Sequence, residues 1–394
     1  MLNEKMLKLG TASSAIRQLF EYGKARKAQI GDDKVYDFSI GNPSVPAPQS
    51  VNRIIKNLID EEDSVLLHGY TSAPGDIGVR KKIADYIKTT SGVDATAENI
   101  YMTCGAAASL TISLTAIANE GDEVILLAPF FPEYRVFAEK AGFKCVVVNC
   151  REPDFQIDIN VLEKAINKNT KAIIINSPNN PTGVVFSEET IIELSSLLRK
   201  KQQEFSKEIF LISDEPYREL VYGDVVVPFP AKYYDNTIVC YSFSKSLSLP
   251  GERIGYIFVS PKCKENNLVF AAVCGAGRAL GYVCAPSLLQ RVVAENLGMT
   301  ADISVYNKNR ELLYNALTEY GYTAVKPDGA FYLFVKSPEE DAAAFAEKAK
   351  KYELLLVPSD SFGMGGYVRI SYCVSTHQIE NSLPAFKSLI EEYR

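Results

Sequence analysis

The 394-residue chain has no tryptophan and two histidines, His68 and His377. That scarcity excludes a histidine-rich metal centre, and a serine–histidine–aspartate triad would have to recruit one of these two. No carboxylate or thiolate spacing suggests a metal site either, so none is expected. The eight cysteines, at positions 104, 145, 150, 240, 263, 274, 284 and 373, form no CxxC pair. Several sit inside apolar runs such as Lys144-Cys145-Val146-Val147-Val148, where cysteine behaves as a small buried hydrophobe. That usage fits a reduced cytoplasmic setting. No apolar run approaches membrane-spanning length, and the first residues lack the hydrophobic segment of a signal peptide, so no membrane association is expected. Positive charge is not in excess: the net charge is -6. The clusters Arg80-Lys81-Lys82 and Arg199-Lys200-Lys201 lie in helical patterns, where basic residues face water, and no nucleic-acid partner is expected.

What is present is a 47% hydrophobic chain, long enough for two or more domains with a substantial core. Short apolar runs at 99–102, 123–127, 144–148, 171–176, 209–213, 237–241 and 255–259 alternate with helical patterns at 106–118, 134–141 and 159–167. Continuous apolar strands separated by helices predict an α/β fold: a mostly parallel seven-stranded sheet flanked by helices on both faces. Beyond Pro286 the pattern changes. A helical stretch over 296–320, strands at 331–335 and 367–371 and a helix over 340–352 predict a smaller α+β domain. The first 40 or so residues are expected to pack onto it. The division is thus 46–285 for the large domain and 1–45 with 286–394 for the small one.

The polar residues that stand out fall where the strands end, which is where open α/β sheets bind ligands. In Tyr241-Ser242-Phe243-Ser244-Lys245-Ser246 and the following Pro250-Gly251-Glu252-Arg253-Ile254-Gly255, one lysine stands among hydroxyls, with an arginine close behind. Alone this is an ordinary solvated loop. It is also what a Schiff-base lysine needs to hold a phosphorylated aldehyde, pyridoxal 5′-phosphate (PLP). Asp214 follows a strand; it can cap a turn, or pair with a protonated pyridine nitrogen and keep the ring an electron sink. Tyr217 is either a partly buried tyrosine or a donor to the cofactor's ring oxygen. Asn180, in the bend Ser177-Pro178-Asn179-Asn180-Pro181-Thr182-Gly183, can donate to that oxygen and to a substrate carboxylate. Gly105, Ala106 and Ala107 leave a helix N-terminus open to a phosphate, with Ser242, Ser244 and Arg253 as further contacts. Phe131 is core packing or a ring-stacking face. Arg369, inside a short apolar strand, requires an anion: a protein carboxylate, or the substrate's.

These segments, in this order, resemble the class I/II aminotransferases, fold-type-I PLP enzymes of the aspartate aminotransferase superfamily, from about residue 30 to the end. The resemblance implies that Lys245 carries the cofactor and shuttles the α-proton, with Asp214 on the pyridine nitrogen and Tyr217 and Asn180 on the ring oxygen. Gly105, Ala106, Ala107, Ser242, Ser244 and Arg253 would hold the phosphate, Phe131 would stack on the ring, and Arg369 would hold the α-carboxylate. It also implies a homodimer with shared sites, Tyr70 reaching the neighbour's phosphate, and an N-terminal segment in which Gly41 lies near the substrate. The implied reaction is ping-pong transfer of an amino group from an L-amino acid to a 2-oxo acid such as 2-oxoglutarate. Arg278 is a candidate reader of the substrate side chain, which favours aspartate or glutamate; aromatic amino acids and alanine stay open. So does a carbon–sulfur β-lyase acting on cystathionine or cysteine, since the cofactor residues are shared. A non-catalytic PLP sensor would need a further DNA-binding domain, for which the stretch before the match is short.

Overall fold

A computed structural model describes residues 2–11 and 15–394. Its strands, in chain order, are β1 Tyr36–Asp37, β2 Ile100–Thr103, β3 Glu123–Ala128, β4 Lys144–Asn149, β5 Thr170–Asn176, β6 Phe210–Asp214, β7 Thr237–Ser242, β8 Gly255–Val259, β9 Tyr332–Lys336, β10 Leu354–Leu355, β11 Val357–Pro358 and β12 Tyr367–Ser371. Strands β2 to β8 form one seven-stranded sheet in the order β2-β8-β7-β6-β5-β3-β4. Within it β8 is antiparallel to both neighbours, and every other pairing is parallel. The sheet is thus mixed, covered by helices on both faces, as the apolar runs predict.

That covering explains the residues. Every position of β2, β3, β6, β7 and β8 is buried, so their sequences are mostly two-faced apolar runs, with polar residues confined largely to the strand ends. The helix Ala106–Ile117 has no polar face; it is sandwiched between the sheet and the helix Asn266–Ala279. Reversal of β8 has a direct consequence for function. Its first residue, Gly255, pairs with Ser242 at the end of β7 and with Thr103 at the end of β2. A Cβ at Gly255 would lie 2.2 Å from the Tyr241 carbonyl oxygen, so this edge closes only around glycine. The carboxyl ends of β2, β5, β6 and β7 therefore meet on one edge of the sheet.

A second, three-stranded antiparallel sheet has the order β11-β12-β9. The N-terminal segment packs beside it: β1 and β10 form a separate two-stranded sheet, Leu19 and Val35 pack with Leu355, Val357 and Phe362, and Arg26 pairs with Glu353. One element differs from the periodic reading. A helix Ser287–Ala294 lies before the expected stretch 296–320, which is helical only over Ser304–Glu319. The first stops because the Asn296 side chain turns back onto the Val292 carbonyl and Gly298 takes φ 76°, ending the ladder.

Candidate active site

Asn176 and Asp214 are register partners at the ends of β5 and β6, and the Asn176 amide donates to the Asp214 carbonyl at 2.8 Å. Its carbonyl oxygen accepts from the backbone N–H of Asn180 at 2.8 Å, which fixes the bend that follows β5. On β7, Ser242 caps the one-turn helix Phe243–Ser246, placing the Ser242 and Ser244 hydroxyls 2.7 Å apart and setting Lys245 on the inner side. Gly105 (φ +88°) turns the chain from β2 into the helix Ala106–Ile117. A Cβ there would meet the Arg253 guanidinium at 2.8 Å, so the arginine lies directly against the helix start.

The result is one cavity of about 290 Å³. Its lining includes Gly41, Ala106, Ala107, Phe131, Asn180, Asp214, Tyr217, Ser242, Ser244, Lys245, Arg253 and Arg369, residues drawn from both sheets. Gly105, the residue before Ala106, does not line it. Tyr70, 90% exposed, and Arg278, exposed on the helix Asn266–Ala279, do not line it.

The charges here are under strain. Lys245 Nζ donates to the Gly41 carbonyl at 2.7 Å and lies over the Phe331 ring. Burial brings the amine down to about 8, opposed by the Cys373 thiol and reinforced by Arg253 and Arg369. Asp214 is fully enclosed, and burial pushes its carboxyl up to about 7 even though Tyr134 donates a hydrogen bond to Oδ2. Its Oδ1 has no partner among the described residues. Arg369 is 2% exposed; it donates to the Asn180 Oδ1 at 3.1 Å and to the Ser39 carbonyl, while its Nε is unpartnered. Among the described residues it forms no ion pair.

This donor set fits PLP on grounds of its own. An enclosed carboxylate oxygen without a donor suits a ring N–H⁺. An open helix N-terminus with two hydroxyls and a guanidinium suits a phosphate dianion. A buried amine held near neutrality suits an aldehyde.

The sequence pattern does not single out Tyr134, Asn176 or Tyr332, which also line the cavity. Asn176 leaves the faint signal of a polar residue closing an apolar run. Tyr134 and Tyr332 leave none, because both sit among other aromatic residues in ordinary amphipathic or apolar segments.

A ligand cleft at the strand ends of this mixed sheet, with a lysine inside it, is the architecture of fold-type-I PLP enzymes. The chain belongs to the family described as aminotransferase class I and II, whose model matches residues 33–386. It is 30% identical over 391 residues to a probable aspartate aminotransferase of Methanocaldococcus jannaschii, covering 96% of this chain and 97% of that one. It is 29% identical to a probable N-acetyl-LL-diaminopimelate aminotransferase of Bacillus subtilis, covering 92% and 91%. Among solved structures, an amino transferase from Eubacterium rectale superposes with a TM-score of 0.99 at 56% identity, covering 100% and 99%. The aspartate aminotransferase of Thermus thermophilus with maleate does so at 0.87 and 25% identity, covering 99% of each chain. The protein is accordingly a PLP-dependent transaminase. No helix among its described residues is long and apolar enough to cross a membrane.

Proposed function

We propose that the chain moves the amino group of an L-amino acid to a 2-oxo acid such as 2-oxoglutarate in two half-reactions, with Lys245 as the proton-transfer base. The observation that carries this reading is the unpartnered Oδ1 of buried Asp214 in the same cavity as the Lys245 amine and the Arg369 guanidinium. When bound, PLP supplies an aldehyde carbon for the amino group and a cationic ring that accepts the electron pair released at the α-carbon.

The rest is done by side chains. Arg369, with Asn180, receives the substrate carboxylate in a bidentate fork and so fixes the α-carbon. Lys245, about a tenth neutral at pH 7 and about half neutral near pH 8, takes the α-proton on Nζ. Asp214 holds a proton on the ring nitrogen through Oδ1 while Tyr134 keeps Oδ2 occupied. With the cofactor bound, Tyr217 would donate to the ring oxygen, Phe131 would cover one ring face, and Gly105, Ala106, Ala107, Ser242, Ser244 and Arg253 would hold the phosphate.

The working unit is proposed to be a homodimer. Tyr70 lies outside the cavity of its own chain, so a phosphate contact from it requires a second copy. The same holds for Arg278. The cations lining the cavity are Lys245, Arg253 and Arg369, all with assigned duties, and the remaining wall includes Ile16, Ile40, Leu110 and Pro250. A dicarboxylic donor, aspartate or glutamate, would then be read by Arg278 of a second copy. The names of the archaeal and Thermus relatives, and maleate in the latter, support that class. The boundaries 46–285 and 1–45 with 286–394 are proposed for the two domains. A cytoplasmic location is proposed because all eight cysteines are free.

The test is to add single L-amino acids to the PLP-loaded protein without an acceptor. Conversion of the absorbance band to that of pyridoxamine phosphate, reversed by 2-oxoglutarate, is expected. Steady release of ammonia and a 2-oxo acid with the band unchanged would make it a β-lyase instead. A bound cofactor that no amino acid alters would point to a sensor.

A further inference from the structure

Tyr332, on β9, touches more of this machinery than any role assigned so far requires. Its hydroxyl lies 2.8 Å from the Tyr217 hydroxyl. Its ring lies under the Arg369 guanidinium, 4.7 Å from carbon to centroid. Its hydroxyl also presses on Gly41, where a Cβ would come within 2.1 Å of it. Gly41 in turn offers the carbonyl that receives the Lys245 Nζ. The side chain is 2% exposed, so water cannot substitute for these contacts.

We propose that Tyr332 is a positioning residue whose hydroxyl orients Tyr217 and whose ring fixes the plane of Arg369, so that one side chain ties the cofactor-ring contact to the carboxylate contact. The inference rests on the transaminase reading above and on the residue roles given there. Each phenol has one proton. If Tyr217 spends its proton on the cofactor's ring oxygen, the hydrogen bond between the two tyrosines must run from Tyr332 to Tyr217. Hydrogen bonds in such a chain polarise one another, so the Tyr332 donor makes Tyr217 a stronger donor. The ring contact is separate: the Tyr332 ring at 4.7 Å, with Phe362 at 5.2 Å and the bonds to Asn180 and Ser39, holds a buried guanidinium whose Nε has no partner among the described residues.

The two arms separate by substitution. Tyr332→Phe keeps the ring and removes the hydroxyl. Weaker donation to the ring oxygen leaves the imine proton more tightly held, so the pH midpoint of the bound cofactor's absorbance change is expected to rise by roughly half to one unit. KM for the amino acid is expected to stay within about twofold, because the ring contact to Arg369 remains. In a Tyr217→Phe background the same substitution is expected to add nothing to the midpoint, since the hydroxyl acts through Tyr217. Tyr332→Leu, which removes the ring as well, is expected to raise KM for both amino acid and 2-oxo acid by about tenfold. A midpoint unmoved in Tyr332→Phe, or moved equally with and without Tyr217, overturns the hydroxyl arm. Unchanged KM in a folded, PLP-loaded Tyr332→Leu protein overturns the ring arm. Absence of a cofactor band in the unsubstituted protein would instead defeat the transaminase reading itself, so the two failures are told apart.

Discussion

Tyr134 donates its phenolic proton to Oδ2 of Asp214, and the other oxygen of that carboxylate, enclosed within the protein, meets no donor among the described residues. One oxygen is satisfied by the fold and one is left for a ligand.

Protein stripped of PLP should therefore lose stability as pH rises. Burial raises the folded Asp214 carboxyl to about 7, against an ordinary value of 3.8. Below about pH 4 both folded and unfolded chains are protonated and nothing is lost. Between about pH 4 and 7 the unfolded chain sheds the proton while the folded chain keeps it, and above that the full penalty, on the order of 4 kcal/mol, is present. Asp214→Asn should abolish this slope in urea titrations of the cofactor-free protein. An equal slope in the variant would show that another group is responsible.

Capture of PLP should follow the Lys245 amine. Only the neutral amine attacks an aldehyde, and burial holds this one near 8. The second-order rate of cofactor uptake should rise about tenfold between pH 7 and 9 and then level off. A rate still climbing above pH 10 would mean an ordinary solvated lysine. Lys245→Ala should lower the half-reaction rate with an amino acid by 10²-fold or more, as loss of a positioned base does.

Arg369→Lys keeps the charge but loses the fork, its bond to Asn180 and its seat on Tyr332. kcat/KM for amino acids should fall by roughly 10- to 100-fold, the range for a hydrogen bond to a charged group. The corresponding primary amine, which lacks the carboxylate, should be used as poorly as before. An equal fall for the amine would remove Arg369 from substrate binding.

Shared sites can be tested with mixed dimers. Tyr70→Phe should weaken PLP binding about tenfold, the effect of one hydrogen bond to a phosphate. Co-expressed Lys245→Ala and Tyr70→Phe chains should give heterodimers with one site of normal PLP affinity and activity. A defective remaining site would place Tyr70 in its own chain's cavity. Arg278→Ala should reduce turnover of aspartate and glutamate while sparing apolar donors; unchanged dicarboxylate turnover would remove Arg278 from the site.

Much of this is written locally. A strand buried on both faces is apolar along its middle, so β3, β6 and β7 are legible as runs, and the seven-stranded sheet follows from their alternation with helices. Lys245, Asp214, Asn180 and Arg253 are legible for a related reason: each is a polar residue at a strand end or in the loop beyond it, where the apolar run stops. The helix Ser287–Ala294 and the start of the next one at Ser304 rather than near 296 are not legible from periodicity, since the gap between them depends on the Asn296 side chain folding back on the preceding turn.

Tyr134, Tyr332 and the duty of Gly41 depend on distance in space alone. Tyr332 sits in an apolar strand of the second sheet, and Tyr217 in the loop after β6; only docking of the two sheets brings their hydroxyls together. Gly41 must be glycine because of a tyrosine hydroxyl far along the chain, a constraint that no window of neighbouring residues contains. Local sequence settles what backbone geometry and burial demand of each segment. Which side chains share a proton or a packing contact is decided where segments remote in the chain close on one another, and there the tertiary structure alone chooses the partners.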